Sequence, residues 1–281
     1  MIEFRNVTYA YKNKGQGDTV AVNNVSFTIN EGEFVGIIGH TGSGKSTLTE
    51  LMSGLLKATK GAVLVDGIDI KNCKSAVKEL KGKVGMVFQA PEHQLFEETV
   101  IKDICFGPKN LNLSEDECIK RAREAMRLVR LGEEYEQLSP FELSGGEKRR
   151  VAIAGILAMQ PDILILDEPV AGLDPVGRDN LIDTLIAIKG EMCKSIVMVS
   201  HSMEDVARAC DRVLVMNKGN LIMNGTVREV FSRADELVNI GLDIPQITRL
   251  IARLNEKGYG FDKNILTVEE AVEAIYYKLR G

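Results

Sequence analysis

The string Gly39-His40-Thr41-Gly42-Ser43-Gly44-Lys45-Ser46 constrains this chain more than any other feature. It fits G-x-x-x-x-G-K-S and stands between a short apolar run, Phe34 to Ile38, and a helical pattern. The glycines let the backbone curl so that its N–H groups point at phosphate oxygens, and the helix start adds its dipole. Lys45 then supplies charge to the β- and γ-phosphates, and the Ser46 hydroxyl can ligate Mg²⁺. Thr47, the next residue, joins the candidate nucleotide contacts.

Short β-branched runs alternate with helical patterns along the chain, which marks a parallel-sheet α/β domain. The expected strands are Val20 to Ile29, Phe34 to Ile38, Val84 to Phe88, Ile163 to Leu166, Ile196 to Val199 and Val213 to Met216. A helical insert opens on the capping-box spacing Ser114 to Glu117, and Ile119, Ala122, Met126 and Val129 then recur on one face. Past about Val230 the strand signals stop. Pro245 opens a helical segment with Ile247, Leu250, Ile251 and Leu254. A capping box at Thr267 to Glu270 opens another, with Val272, Ile275, Tyr276 and Leu279 on one side.

Composition narrows the setting. Hydrophobic residues make up 44% and charged residues 27%, which suits a chain with a real core. A net charge of −5 gives no reason to expect a nucleic-acid partner. Cys73, Cys105, Cys118, Cys193 and Cys210 never approach C-x-x-C spacing, so neither a zinc site nor a disulfide framework is indicated, and free thiols suggest a reducing compartment. No apolar run approaches the ~20 residues of a membrane span. The expected location is therefore cytoplasmic, with any membrane role reached through partner proteins.

The run Ile163-Leu164-Ile165-Leu166-Asp167-Glu168 lacks polar alternation, so it reads as a strand buried on both faces and ending in two acids. Asp167 can hold the Mg²⁺ shell and Glu168 can polarise an attacking water. A GTPase would carry a late N-K-x-D string; the nearest, Asn217-Lys218-Gly219-Asn220, lacks the Asp and sits in a turn. Leu143-Ser144-Gly145-Gly146-Glu147-Lys148-Arg149-Arg150 opens a further helix. Its serine and glycines form either a second anion-binding helix start or a plain cap.

With that string just upstream of the acid-ended strand, the sequence resembles the ATP-binding cassette (ABC) family, whose signature is L-S-G-G-Q. The resemblance covers residues 1 to about 230. It implies a P-loop NTPase of ABC type, an α/β nucleotide-binding domain over 1–230 with a helical subdomain at about 90–160. A small helical appendage follows over 231–281. It implies ATP as substrate and Mg²⁺ as cofactor, with Tyr11 stacked on adenine and Gln89 sensing Mg²⁺ and the attacking water. His201 would contact the γ-phosphate. Glu168, His201, Gln89 and Lys45 then carry catalysis, while Ser46, Gln89 and Asp167 serve the metal. In the family, the phosphate loop and the signature helix of one domain bind different nucleotides across a head-to-tail dimer. Ser144, Gly145 and Gly146, with Asp174 in the loop Ala171-Gly172-Leu173-Asp174, would thus face the nucleotide of a second ATPase subunit. Glu147 in place of Gln and Gly172 in place of Ala depart from the common pattern and leave these groups intact.

The chain holds one cassette, whereas a translation-factor ATPase of the family needs two. No long insertion separates Lys45 from Ser144, as a DNA-repair member would require. A transporter ATPase fits. Val87-Phe88-Gln89-Ala90-Pro91-Glu92-His93-Gln94-Leu95-Phe96 is similar to the ATPases of energy-coupling factor (ECF) transporters, which import vitamins or, in related systems, cobalt or nickel. Gly39 to Gly44, Phe106 to Asn110 and Lys148 to Ala154 share that resemblance, which leans toward the second of their paired ATPases. It implies a paralogous or identical ATPase partner, a transmembrane coupling protein and a substrate-binding membrane protein. The alternative is the ATPase of another ABC transporter or, behind it, a soluble non-transport ABC ATPase. Phe88, Leu95 and Phe96 would line the coupling groove or the core. The helical tail would join two subunits or pack on its own cassette.

Overall fold

A strand can be apolar at every position only if both of its faces are covered. The computed structural model describes residues 1–12, 17–71, 80 and 82–280. In chain order its elements are β1 Ile2–Tyr11, β2 Thr19–Ile29, β3 Phe34–Gly39, α1 Lys45–Met52, β4 Lys60–Val65, β5 Ile68–Asp69 and β6 Val84–Val87. There follow α2 Val100–Asn110, α3 Glu115–Leu128, α4 Gly145–Leu157, β7 Ile163–Asp167, α5 Pro175–Ile188, β8 Ser195–Val199 and α6 Met203–Ala209. β9 Arg212–Asn217, β10 Asn220–Thr226, α7 Val227–Phe231, α8 Ala234–Asn239, α9 Gln246–Glu256 and α10 Val268–Arg280 complete the chain.

One sheet runs β10-β9-β3-β8-β7-β6, parallel except where β10 returns antiparallel to β9. That return is the turn at Lys218-Gly219, both with positive φ, as a two-residue hairpin loop requires. Every residue of β3, β7 and β8 is buried. Side chains alternate between two cores, as the strand period of 2 dictates. Leu164 and Leu166 join the helix-side cluster, while Ile163 and Ile165 join a cluster shared with the second sheet. Each such residue contributes about 1.5–3 kcal/mol by leaving water.

The second sheet, β2-β1-β4-β5, is antiparallel and covers the far face of the parallel one. Of its strands the sequence reading placed only β2. β1 is hard to read because its register slips three times, between Phe4 and Val7, Val7 and Tyr9, and Tyr9 and Ala10. Asn6 sits there at φ 48°, so alternation breaks down.

α2, α3 and α4 pack on one another through Ile104, Ala122, Ala125, Met126, Val151 and Ala154. The N-terminus of α3 is half a capping box. Ser114 Oγ accepts from Glu117 N, but the Glu117 carboxylate turns to Arg121. In the tail, Thr267 and Glu270 bond reciprocally, completing the expected box. The helix-side core runs past residue 230, taking in Phe231, Leu237, Leu242, Ile244 and Leu266. Ile251, Ile265 and Ala271, with Ile247, Leu254, Phe261 and Ala274 packed against them, form a separate small cluster. On α10, Val272 and Tyr276 are exposed rather than buried. Cys105, Cys118, Cys193 and Cys210 are buried free thiols; Cys73 and the side chain of Leu279 lie outside the described residues.

Candidate active site

Four neighbouring parallel strands, β3, β8, β7 and β6, point their carboxyl ends the same way, so the residues that follow them converge at one edge of the sheet. Those residues are the phosphate loop, His201, the Asp167-Glu168 pair and Gln89. The loop is held by packing that no side chain could replace. A Cβ on Gly39 would lie 2.4 Å from Met216 O, and one on Gly44 would lie 2.3 Å from Ala21 O. Lys45 is buried and donates from Nζ to the carbonyls of Gly39 at 2.7 Å and His40 at 3.0 Å. Burial pushes its ammonium below the usual lysine range, and Glu168 and Asp167 pull it partway back.

The acids sit where β7 ends. Burial raises the Asp167 carboxyl, against a hydrogen bond from the Ser46 hydroxyl. Glu168 adopts φ 52°, a left-handed conformation that costs a glutamate on the order of 1 kcal/mol or more, and its N–H donates to Val199 O at 3.1 Å. That bend aims its carboxylate between two groups. His201 Nε2 lies 2.9 Å from Oε1, and Gln89 Nε2 donates to Oε2 at 3.4 Å.

Three bonds at this edge had no sequence signal. Tyr11, exposed at the end of β1, meets Thr47 Oγ1 at 3.1 Å and hydrogen-bonds Glu50, whose carboxyl is raised by burial and by the Asp167 charge. His40 Nε2 lies 2.7 Å from the carbonyl oxygen of Ile240, tying the phosphate loop to the chain beyond α8. Thr41 and Gly42 are exposed at the loop tip.

The remaining expected residues gather elsewhere. Ser144 caps α4 with a full capping box. Its Oγ donates to Glu147 Oε2 at 2.7 Å and its N–H donates to the same oxygen at 2.8 Å, while Tyr135 OH donates to Oε1 at 2.9 Å. The glutamate that departs from the usual signature is thus the reciprocal partner of the cap. Beside it lies a cavity of about 280 Å³ lined by Ser144, Gly146, Glu147, Leu173 and Asp174. Lys45 is not among the residues lining it. Asp174, exposed, caps α5 by accepting from Gly177 N at 2.8 Å. Gly145 is not demanded by its own fold, since a Cβ there would meet nothing within 4 Å among the described residues. Leu95 is core and Phe88 half-buried, whereas Phe96 is exposed and edge-on to exposed Phe106 at 4.8 Å.

The profile of the ABC transporter family matches residues 22–171. The chain is 52% identical to the energy-coupling factor transporter ATP-binding protein EcfA2 of Caldanaerobacter subterraneus subsp. tengcongensis, over 100% of this chain and 98% of the relative. The chain belongs to the ABC transporter family. The protein of the same name from Clostridium perfringens is 48% identical over 100% of this chain and 99% of its own length. Among solved structures, cbiO1 of Clostridium perfringens, part of the ABC transporter complex cbiONQ, superposes at TM-score 0.75 with 36% identity, covering 89% of this chain and 98% of its own. An ATP-binding cassette solved as a dimer in a post-hydrolysis state with ADP and Pi superposes at TM-score 0.74 with 32% identity, covering 81% of this chain and 99% of its own. The fold is that of an ABC ATPase, and no helix among the described residues is long and apolar enough to cross a membrane.

Proposed function

We propose that this chain hydrolyses ATP to energise an ECF-type membrane importer of vitamins or transition-metal ions, and that it works as one of two ATPases in a head-to-tail pair. The observation that carries the chemistry is the Glu168 carboxylate, aimed by its backbone and held between His201 and Gln89 at the strand edge that bears Lys45. In this reading the phosphate loop, residues 39–47, holds the phosphates and Tyr11 meets the adenine. Glu168 draws a proton from water as the water oxygen attacks the γ-phosphorus. The bond from that phosphorus to the bridging oxygen breaks, and ADP leaves with the electron pair. His201 steadies both Glu168 and the γ-phosphate.

Mg²⁺ suits the donor set, because the Ser46 hydroxyl and the Asp167 carboxylate already meet as hard oxygen donors, with the Gln89 amide at the neighbouring strand end. When bound, the ion would neutralise phosphate charge. Ser43 Oγ, buried in the loop without a hydrogen-bond partner among the described residues, is a further hydroxyl available to a phosphate.

Pairing is supported by the signature. Ser144, Gly146 and Asp174 line one cavity, and the open space at neighbouring Gly145 suits close approach by a ligand carried on another subunit. ATP touching both faces would favour the closed pair, and hydrolysis would remove that preference. In this scheme residues 1–230 form the cassette. Residues 231–281 form a tail whose exposed Val268, Val272 and Tyr276, spaced four apart on α10, face the second ATPase. Phe96 and Phe106 receive the coupling protein, placing the chain at the cytoplasmic face of the membrane.

Co-purification from membranes tests the assignment. A single coupling protein and a small substrate-binding membrane protein should accompany the chain; a pair of full transmembrane subunits would instead assign it to another ABC transporter.

A further inference from the structure

Arg149 lies on α4, five residues after Ser144, and only 5% of it is exposed. Its guanidinium grips two separate segments. Nε and Nη2 form a fork on Glu92, at 3.1 Å and 3.0 Å, in the turn Pro91–Gln94 that follows Gln89. Nη1 donates to the carbonyls of Pro169, at 3.2 Å, and of Ala171, in the loop that begins at Glu168. Burial alone would push the Glu92 carboxyl up; the fork from Arg149 leaves it below the usual range.

The loop Arg149 holds is the one whose conformation decides where Glu168 points. Glu168 sits at φ 52°, and its carbonyl accepts from Ala171 N at 3.2 Å, closing a tight turn directly on the residues Arg149 grips. The other anchor, Glu92, stands three residues from Gln89, the second group on the Glu168 carboxylate. Arginine suits the post because its planar fork serves a carboxylate bidentately and still has a donor for carbonyls; lysine has one point charge for all of them.

We infer that Arg149 is a positioning residue for hydrolysis, locking the Glu168 turn and the Gln89 segment to the signature helix as one rigid piece. The inference rests on the proposed reading of Glu168 as the base. It adds that the half-site offered to the neighbouring ATPase cannot shift without moving the base of this chain's own site. The two nucleotide sites of a pair would then be coupled inside each chain through one side chain.

The test uses the assembled transporter, with Arg149→Lys, Glu92→Gln and both together, measuring kcat and KM for ATP and the dissociation constant for a non-hydrolysed ATP analogue. Misplacing a catalytic group by ~1 Å costs up to about a hundredfold, so kcat should fall tenfold to a hundredfold in Arg149→Lys. KM and analogue affinity should stay within about twofold, because the phosphate loop is untouched. Glu92→Gln should lower kcat in the same selective way, and the double variant should be no slower than Arg149→Lys, since both changes break one lock. Unchanged kcat in both single variants, losses that multiply, or loss of analogue affinity along with kcat would overturn the inference. If Arg149→Lys does not fold, Glu92→Gln decides: a selective loss of kcat supports the lock and an unchanged kcat refutes it. Glu168→Gln measured in parallel separates the two ideas, since normal turnover there would sink the assignment of the base whatever Arg149 does.

Discussion

His201 Nε2 lies 2.9 Å from Glu168 Oε1, across the carboxyl ends of two adjacent parallel strands. The contact joins the acid that follows β7 to the histidine that follows β8, so a base and its support arise from sheet topology rather than from nearness in sequence. Replacing the acid by Glu168→Gln keeps the shape and removes the proton acceptor. Turnover should fall by about 10²–10⁴-fold, the range a positioned general base contributes. ATP affinity should persist. Rapid-quench single turnovers read the first quantity and equilibrium binding the second.

Lys45 gives a pH prediction. Its ammonium is held below the usual lysine range by burial, against the pull of Glu168 and Asp167. Only the protonated form attracts phosphate, so ATP affinity should begin to fall, as pH rises, before an ordinary lysine with pKa near about 10.4 would titrate. Phosphate oxygens favour the charged form, so binding in that window takes up a proton. Calorimetry in buffers of different ionisation enthalpy measures the uptake.

Ser144 separates a structural role from a functional one. As the cap of α4 it should cost about 1 kcal/mol when changed to Ala, a modest shift in melting temperature. Hydrolysis by the assembled pair should be lost out of proportion to that cost. The Glu147 carboxyl is held low first by the Ser144 hydroxyl, then by the Ser144 N–H and the Tyr135 hydroxyl. Because its folded pKa is depressed, its stabilisation is full above the ordinary glutamate pKa of about 4.3 and is lost as pH falls through the folded value. Glu147→Gln should therefore flatten the acid limb of the stability curve, as thermal melts between neutral and acid pH would show.

Leu95 and Phe96, adjacent in sequence, should behave oppositely. Leu95 is core, so Leu95→Ala should destabilise by about 2–5 kcal/mol. Phe96→Ala should change stability by no more than about 0.5 kcal/mol while uncoupling ATP hydrolysis from transport, because its ring is at the surface against Phe106. Denaturant melts and vesicle uptake assays read the two effects.

What could be read from the sequence had local physical causes. Ile163 to Leu166 of β7 and Ile196 to Val199 of β8 are apolar throughout because both faces are covered, and the phosphate loop announces itself because Gly39 and Gly44 have no room for a side chain. The antiparallel sheet was missed beyond β2, since the bulges of β1 erase its alternation. The groups around the site, such as Glu50 under Tyr11, Ile240 against His40 and Glu92 on Arg149, depend on contacts between residues far apart in the chain or on the exact turn of a helix. No spacing rule predicts them.

The claim that matters most is that Ser144 of this chain completes a neighbour's nucleotide site. Spin labels placed at exposed Glu142, two residues before Ser144, and beside the phosphate loop of the paired ATPase would report it directly by pulsed electron resonance. ATP with Mg²⁺ should shorten the distance, and in the Glu168→Gln chain the short distance should persist instead of relaxing with hydrolysis. A distance that stays the same when ATP is demonstrably bound would contradict the split site.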